Sequence, residues 1–528
     1  MVSYTWTVAA ALGSVSSALA SSSITYVSHP ERLDAVKEIF QRSWDGYYKY
    51  AFPNDSLKPI SQSYSNDRNG WGASAVDAIS TALIMGNQEV VDQIVDHIRT
   101  VQFNVTAPDA NQVSVFETTI RYLGGMISAY DFMTSSAMSY GEDQTDADAL
   151  LEQAINLADL LSVAFDTPSG VPINNLIFNG PDGPVVDDTQ TTNGLATIGT
   201  LVLEWTRLSD ITGDPKYAEL TQVAEDYLLN VRNPEIGEPY PGLVGSNVNV
   251  SNGNFVDSSG AWTGGTDSFY EYLIKMYLYD TERFATYKDR WIAAVDSSIE
   301  YLASSPSSRP DLTFLAGYTG YGSDKLVFQS EHLACFDGGN IILGGLVLDN
   351  QDYVDFGLEL VNGCHDTYTS TYTGIGPEIF NWQDSKLAPN ATNNAPAPSD
   401  YTDFYEQTGF WILPGYGSYQ LRPETIESYY YAYRATGDTK YQDWAWDAIQ
   451  NINETCIAGV GYSSVTDVNA PEGGSKTDAQ ESFWFAEVLK YSYLIQAEEA
   501  PWQVSADHDN EWVYNTEAHP FRISGKPI

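Results

Sequence analysis

Apolar residues recur at helical spacing along most of the chain, and short polar turns interrupt this pattern. The turns are Gly86-Asn87, Gly141-Glu142-Asp143, Gly213-Asp214, Asp280-Thr281, Asp349-Asn350 and Gly437-Asp438. The sequence T-G-D, followed after one further residue by K-Y, occurs at Thr212–Tyr217 and again at Thr436–Tyr441. Weak internal repetition of this kind is typical of stacked or closed helical hairpins. The chain has room for about seven hairpins, which predicts an all-α fold.

Long stretches rich in Gly, Pro, Asn and Ser lie between the turns. They cover residues 166–193, 232–266, 305–330 and 383–420. Loops of this length in a compact domain are usually functional or disordered. If hairpins alternate short turns with long loops around a ring, the short turns share one face and the long loops share the other. We therefore expect the chemistry on the long-loop face.

The segment at residues 114–125, SVFETTIRYLGG, is the most informative local pattern. Three of its apolar residues have the spacing of one buried helical face, namely Phe116, Ile120 and Leu123. Glu117 and Arg121 stand one helical turn apart within it. Burial raises the pKa of a carboxyl group, and a neighbouring cation lowers it. The pair is either an ordinary surface ion pair or a partly buried functional carboxylate with its partner, and the apolar flanks favour the second interpretation.

Charged residues recur where the long loops lead into helices. These residues are Asp267 in DSFYEYL, His332 in SEHLACFDGG, Glu378 in GIGPEIF, Arg422 and Glu424 in LRPETIES, and Glu481 and Glu487 in ESFWFAEVLKY. Each acid taken alone could be a helix cap or a first-turn residue that stabilises the helix dipole. Their shared position at one predicted rim favours a common pocket instead.

The composition indicates an acidic exported protein. The chain has 528 residues and a formal net charge of −45 at pH 7. Nucleic acid and anionic membranes are not expected as partners, because their phosphate groups would be repelled. Residues 1–20 read as a signal peptide that ends in Ala18-Leu19-Ala20. No later segment offers the roughly 20 consecutive apolar residues that a membrane span needs.

Sequons and cysteines fit the secretory route. The N-x-[ST] sequons are at Asn54, Asn104, Asn249, Asn390 and Asn453. In an oxidising compartment one pair of the three cysteines could form a disulfide. Cys335 and Cys364 would close a loop of about 30 residues, worth about 3 to 4 kcal/mol in the chain-entropy model, and would leave Cys456 unpaired. No CxxC or HExxH motif occurs, so a zinc site is not expected.

Eight motifs occur in order along the chain. They are GWGASAVDA, SVFETTIRYLGG, DSFYEYLIK, HLACFDGG, GPEIF, LRPETIES, ESFWFAEVLKY and NTEAHP. Together they resemble the class I α-1,2-mannosidases, glycoside hydrolase family 47, of the secreted filamentous-fungal type. The resemblance runs from about Arg32 to Pro520. It implies an (α/α)7 barrel. We expect residues 21–528 to form this barrel as a single catalytic domain, and we expect the protein to be a monomer.

The resemblance also implies a reaction. This is the inverting hydrolysis of terminal α-1,2-linked mannose from high-mannose N-glycans, from Man9 toward Man5. Inversion needs an acid for the leaving oxygen and a base for a water, with the carboxyl groups about 6.5 to 9.5 Å apart. By motif, Glu117 would be the general acid, directly or through a water, and Glu424 the general base. Asp267 is the competing candidate for a direct proton-transfer role, and Arg121 would tune Glu117.

A calcium ion is the cofactor that the resemblance implies. Thr516 in NTEAHP would hold the ion through its hydroxyl and carbonyl oxygens, with waters completing the shell. Calcium accepts about six to eight oxygen ligands, so two hydroxyls of the mannose can join. The other pocket residues would bind the sugar or these waters: His332, Glu378, Arg422, Glu427, Phe483, Glu487 and Glu517. Phe483 either stacks on the sugar ring or belongs to the aromatic core.

Four positions refine the comparison with the family. Cys335 and Cys364 match its disulfide pair. Gly265 stands where the endoplasmic-reticulum members carry an arginine, two residues before Asp267. Its lack of a side chain should open the pocket to more than one glycan branch and lead to broad trimming toward five mannoses. Arg42 stands where many members have the histidine of an HSW motif, and we assign it no consequence.

Two alternative functions share much of this pattern. A non-catalytic glycan-binding relative in glycoprotein disposal would keep the pocket, but every candidate catalytic carboxylate is present here, which disfavours it. Another inverting (α/α)-barrel glycosidase, such as a glucan hydrolase, would differ in linkage specificity. In either case we expect an oligosaccharide-binding protein that is secreted or resides in the secretory pathway.

Overall fold

The computed structural model describes residues 24–108, 110, 112–137, 144–178 and 183–528. The expected signal peptide at residues 1–20 and the turn Gly141-Glu142-Asp143 lie outside the described residues. Helices dominate the described part of the chain. Its strands pair only in twos and threes, so these ranges contain no closed sheet. The predicted all-α class is confirmed.

Seven helical runs within the described ranges form an inner ring. Their bounds are Ala73–Met85; Val115–Thr118, Thr119–Leu123 and Gly124–Thr134; Leu195–Gly199 and Val202–Thr212; Asp267–Tyr279; Asp337–Val347; Glu424–Thr436; and Trp484–Val488 and Leu489–Leu494. Each run packs on the next, and the last packs on the first. Every residue of the first run is buried. A helix that is covered on all sides belongs to a core, so the inner ring is the core of the barrel.

Seven outer helices in the described ranges surround this ring. They are Pro30–Tyr50, Gln88–Ile98, Gln144–Leu161, Lys216–Leu229, Ala285–Ser297, Gln351–Thr369 and Lys440–Cys456. All but the first follow an inner helix in sequence and pack against it, and Pro30–Tyr50 packs against Leu489–Leu494 instead. The seventh helix pair thus comes from the two ends of the chain. The two rings form the (α/α)7 barrel that the resemblance implied.

The repeated T-G-D sequence forms the same turn in both places. Gly213 and Gly437 end their helices with φ angles of 73° and 66°. This left-handed region costs glycine little, because glycine has no Cβ. After each glycine, an aspartate accepts a hydrogen bond of 3.0 Å from the backbone N–H of the lysine two residues further on. The turns at 86–87, 213–215, 280–284, 348–350 and 437–439 each join an inner helix to an outer one.

Short elements build the long loops. The strands pair antiparallel. They are Ser56–Lys58, Ser63–Ser65, Gln112–Ser114, Asn175–Phe178, Pro184–Val186, Thr192–Gly194, Asn247–Asn249, Ala303–Ser304, Phe314–Leu315, Gly317–Tyr318, Leu326–Val327, Gln329–Glu331, Ile379–Asn381, Trp411–Ile412, Ile457–Ala458, Gly461–Tyr462, Trp512–Tyr514 and Pro520–Arg522. The remaining helical turns are Ser162–Phe165, Pro234–Gly237, Ser298–Leu302, Ser323–Lys325, Leu333–Phe336, Ser399–Tyr401, Thr402–Thr408 and Pro471–Gly473.

The disulfide joins an inner helix to its outer partner. Cys335, just before Asp337–Val347, is bonded to Cys364 in Gln351–Thr369 with an S–S distance of 2.04 Å. The expected pair is confirmed. Cys456 is buried and unpaired.

The sequons differ in exposure. Asn104 and Asn390 are exposed, whereas Asn54, Asn249 and Asn453 are half-buried. The amide nitrogen of Asn54 donates a hydrogen bond to a backbone carbonyl, and the amide oxygen of Asn453 accepts one from a tyrosine. Glycosylation of all five stays a prediction. None of the helices in the described ranges has the length and the apolar character of a membrane span.

Candidate active site

One cavity of about 380 Å³ lies where the N-terminal ends of the inner helices meet. Glu117, Asp267 and Glu424 all line it, each in the first turn of its own helix. Long loops lead into these helix ends, and the short turns follow the opposite ends. The cavity therefore lies on the long-loop face, as predicted. Helix N-termini carry partial positive charge, which favours carboxylates at this place.

Most of the predicted site residues meet in this cavity. The predicted residues that line it are Glu117, Arg121, Asp267, Arg422, Glu424, Glu427, Phe483, Glu487, Thr516 and Glu517. Gly265 lines it as well. Arg42 does not belong to the lining; it donates a hydrogen bond of 3.0 Å to the carbonyl of Gly459 from the outer helix Pro30–Tyr50.

His332 and Glu378 lie behind the cavity wall. His332 is 2% exposed, and its Nδ1 lies 2.6 Å from Oε2 of Glu424. Its Nε2 lies 2.6 Å from the hydroxyl of Tyr368. Glu378 accepts hydrogen bonds of 2.9 and 2.8 Å from Nε of Arg422. Both residues hold a lining residue in place, and the sugar contact expected of each stays a prediction.

The Glu117 wall begins with a capped helix. The hydroxyl of Ser114 accepts a hydrogen bond of 3.2 Å from the N–H of Glu117. The next segment, Thr119–Leu123, is a π-helical turn, a feature that occurs frequently at functional sites. Arg121 within it places Nε 2.9 Å and Nη2 2.8 Å from Oε2 of Glu117. The predicted one-turn ion pair is therefore present and lines the cavity.

Cations decide the proton affinity of Glu117. Burial raises the pKa of its carboxyl group, but the charges of Arg121 and Arg68 outweigh burial and leave the pKa below its usual value. Nε of Arg68 lies 3.4 Å from Oε2. Arg121 also pairs with Asp77 at 3.4 Å and with Glu517. Glu117 is therefore ionised at neutral pH.

The pKa of Glu424 is lowered for a similar reason, whereas that of Asp267 is raised. Burial raises the pKa of Glu424, but the hydrogen bond and charge of His332, together with Arg422, lower it below the usual value. Burial raises the pKa of Asp267 to about 7, and the nearby carboxyl groups of Glu331 and Glu271 add to the increase. Asp267 thus keeps its proton up to about pH 7.

The cavity floor is the tip of a C-terminal hairpin. Strands Trp512–Tyr514 and Pro520–Arg522 pair, and NTEAHP turns between them. The amide oxygen of Asn515 accepts hydrogen bonds of 2.9 and 2.7 Å from the N–H groups of Glu517 and His519. Asn515 and His519 are fully buried. NTEAHP is therefore a buried turn rather than a tail, and it presents Thr516 to the cavity.

The lining around Thr516 is rich in oxygen donors. Carboxyl groups of Glu271, Glu427, Glu487 and Glu517 share the cavity with it. Burial raises the pKa of Glu427 to about 8 despite the charge of Lys275, and burial also raises that of Glu487. In the described ranges, no three His, Cys, Asp or Glu side chains are arranged to hold a metal directly. The donors fit an oxygen-preferring cation held by Thr516 through waters and carboxylates rather than a carboxylate cage.

Some lining residues were not predicted as site residues. Glu271 lies one turn after Asp267 in DSFYEYL, so the helical spacing contained a signal for it. Glu481 belongs to the motif ESFWFAEVLKY, which assigns it no role of its own. Arg68 lies in an irregular loop, where neither spacing nor a motif pointed to it.

Comparisons with known proteins agree with this architecture. Residues 39–523 match the family described as Glycosyl hydrolase family 47. The chain belongs to this family. Mannosyl-oligosaccharide α-1,2-mannosidase 1B of Aspergillus phoenicis is 54% identical over 513 residues, which cover 97% of this chain and 95% of the relative. The mannosyl-oligosaccharide α-1,2-mannosidase of Penicillium citrinum is 55% identical over 499 residues, 94% of this chain and 93% of the relative.

A solved structure supports the same conclusion. The α-1,2-mannosidase of Trichoderma reesei matches with a TM-score of 0.90 at 51% identity, over 94% of this chain and all of that chain (100%). The fold that the family resemblance implied is thus confirmed at the level of the whole barrel.

Proposed function

We propose that this family 47 hydrolase removes terminal α-1,2-linked mannose from high-mannose N-glycans, with inversion and with calcium as cofactor. The observation that carries the proposal is a single cavity lined by Glu117 and Glu424, whose pKa values lie below the usual range, and by Asp267, whose pKa is raised to about 7. Inverting hydrolysis needs an ionised base and a protonated acid in one pocket. The names of the relatives from Aspergillus and Penicillium support the substrate class.

Glu424 is our proposed base. An ionised carboxylate can take a proton from water, and the lowered pKa of Glu424 keeps it ionised. His332 fixes one oxygen of this carboxylate at 2.6 Å, so the other is available to orient the attacking water. Asp267 is less suited to this role below about pH 7, because it still holds its proton there.

Proton delivery to the leaving oxygen involves Glu117 in our proposal. Two arginines keep this group ionised in the free cavity, so it must first receive a proton or pass one on through a water. Asp267 is the competing donor, because it is the catalytic candidate that is protonated near neutral pH. Glu117→Gln and Asp267→Asn distinguish the two, since the variant that removes the direct donor should lose more activity.

Thr516 is the residue that would hold calcium, together with waters bound by the neighbouring carboxyl groups. When bound, the ion supplies positive charge that orients two hydroxyls of the terminal mannose. Phe483 lies beneath Arg121 and Arg422, with ring-to-guanidinium distances of 5.6 and 6.0 Å. We propose that its ring supports the sugar from the cavity wall.

Mannose release from a Man9 glycan, with calcium and with a chelator, tests this function. We expect release that requires calcium. A protein that binds the glycan in calcium but releases no mannose would be the non-catalytic relative. Comparison of α-1,2-mannobiose with α-1,4-glucosides covers the other alternative, because a glucan hydrolase would cleave the second substrate.

Gly265 supports broad trimming. It lines the cavity, and a Cβ added to it would meet no atom within 4 Å. The cavity is therefore open at the position where an arginine would narrow it. We expect a time course of Man9 digestion to proceed toward five mannoses, and a halt after one mannose would contradict this proposal.

We further propose that the protein is secreted as a monomer with an N-terminal signal peptide and one catalytic domain. The Cys335–Cys364 disulfide and the exposed sequons at Asn104 and Asn390 support an oxidising, glycosylating route. Mass spectrometry of the secreted protein would give the mature N-terminus and the occupied sequons.

A further inference from the structure

A second arginine contacts the same oxygen of Glu117 as Arg121. Arg68 lies in the loop between strand Ser63–Ser65 and helix Ala73–Met85, and it lines the cavity. Its Nε is 3.4 Å from Oε2 of Glu117, the atom that Arg121 also contacts. Both guanidinium groups therefore approach the same oxygen of Glu117.

The loop that carries Arg68 is wrapped around a buried carboxylate. Asp55 is fully buried, and it accepts four backbone hydrogen bonds. The donors are the N–H groups of Arg68 at 2.8 Å and Gly70 at 2.6 Å on Oδ2, and of Gly72 at 2.9 Å and Ala73 at 3.1 Å on Oδ1. A carboxylate with several backbone N–H donors fixes the path of the chain around it.

Tyr122 joins this loop to the Glu117 helix. Its hydroxyl lies 3.1 Å from Oδ1 of Asp55 and 2.6 Å from the carbonyl oxygen of Arg68, both acceptors for it. Tyr122 directly follows Arg121 in the π-helical turn. The two arginines that hold Glu117 are thus tied to each other through one buried hydroxyl and one buried carboxylate.

We propose that Arg68 is a positioning residue for Glu117 and that Asp55 and Tyr122 fix Arg68 in place. The proposal rests on the proposed function, since it assigns Glu117 to the reaction. The Arg68 and Glu117 side chains are 28% and 30% exposed and line the cavity rather than the hydrophobic core, so loss of the Arg68 side chain leaves the core packing in place. Misplacing a reacting group by about 1 Å can cost about 100-fold in rate. The effect of losing Arg68 therefore falls on turnover.

The first test compares Arg68→Gln and Arg68→Lys with the parent enzyme on α-1,2-mannobiose in calcium. Arg68→Gln should lower kcat about 10- to 100-fold with KM nearly unchanged. Arg68→Lys should recover part of the loss, because it keeps the charge but not the two-pronged guanidinium. The control is Arg232→Gln, which removes an exposed arginine paired with Asp226 at 3.6 Å. The control should match the parent, and melting temperatures of all variants should stay close to the parent's.

A double variant tests whether Arg68 acts through Glu117. In the Glu117→Gln background, Arg68→Gln should cause no further loss of kcat, whereas independent roles would give multiplied losses. Because Asp55→Asn risks unfolding the protein, Tyr122→Phe tests the contacts that fix Arg68 in place. We expect it to lower kcat less than Arg68→Gln does. A rise in KM at constant kcat, or kinetics equal to the parent's, would overturn the positioning role. A parent enzyme that releases no mannose would instead overturn the proposed function.

Discussion

Two sets of carboxyl groups in the cavity differ in their neighbours rather than in their chemistry. Glu117 contacts Arg121, and Glu424 is hydrogen-bonded to His332. These contacts, together with the charge of nearby arginines, leave the pKa of each carboxyl group below its usual value. Among the described residues no cation acts on Asp267 in this way, and burial raises its pKa to about 7. The difference teaches that the surrounding charges, not the residue type, decide which carboxyl group can act as base and which can hold a proton.

The largest expected effect comes from removing the ionised base. Glu424→Gln should lower kcat by about 100- to 10,000-fold, because a positioned base typically contributes that much. Sugar binding should persist, and titration of the variant with a mannose-like inhibitor would show this. The exposed Glu38→Gln variant is the control and should keep full activity. An active Glu424→Gln enzyme alongside a dead Asp267→Asn enzyme would mean that the base is Asp267.

The next largest effect is expected from removing Arg121, the arginine that contacts Glu117. Arg121→Gln leaves the buried carboxylates Asp77 and Glu517 without their cation. Removal of one partner of a buried ion pair costs about 3 to 5 kcal/mol, so the midpoint of urea unfolding should fall markedly. The matched change at the exposed Arg232 should leave the midpoint in place. A small change for Arg121→Gln would show that these carboxylates do not depend on the arginine.

Calcium removal should have a smaller effect, and Thr516→Ala should abolish it. An ion present at about 100 times its Kd stabilises the fold by about 2.7 kcal/mol. We expect calcium to raise the melting temperature of the parent and to change that of Thr516→Ala much less. Equal shifts in both proteins would place the ion elsewhere.

The last expected effect is a pH dependence of stability. The folded pKa values of Asp267 and Glu427, about 7 and about 8, exceed the ordinary values of 3.8 and 4.5. From about pH 4 upward the unfolded chain loses these protons first, so stability falls until the pH passes the folded pKa values. Melting temperatures in chelator should decrease from pH 5 to pH 8, and less so in calcium. An increase over this range would contradict the raised pKa values.

Local sequence patterns predicted the regular parts of the molecule. The T-G-D turns at Gly213 and Gly437 are predictable because a glycine followed by an aspartate forms the turn through contacts between neighbouring residues only. Glu117 and Arg121 were found because both lie on one helix at one-turn spacing. The closure of the barrel by Pro30–Tyr50 could not be read from spacing, because that helix packs on the far end of the chain.

Site residues on irregular segments were harder to predict. Arg68 reaches Glu117 only because Asp55 wraps the intervening loop around itself, and no periodic pattern encodes that path. The HLACFDGG motif predicts that His332 belongs to the sugar pocket, but the contact of His332 with Glu424 is visible only in the fold. Such placements depend on long-range packing, which sequence spacing does not contain.

Proton NMR of the mannose released from methyl α-1,2-mannobioside, whose other half keeps its methyl glycoside and gives no free mannose, tests the proposed mechanism most directly. A water activated by Glu424 on the face opposite the leaving group inverts the anomeric centre. The product should therefore appear first as β-mannose, in calcium and not in chelator, and then mutarotate. An initial α-mannose signal, or no mannose at all, would contradict inverting hydrolysis in this cavity.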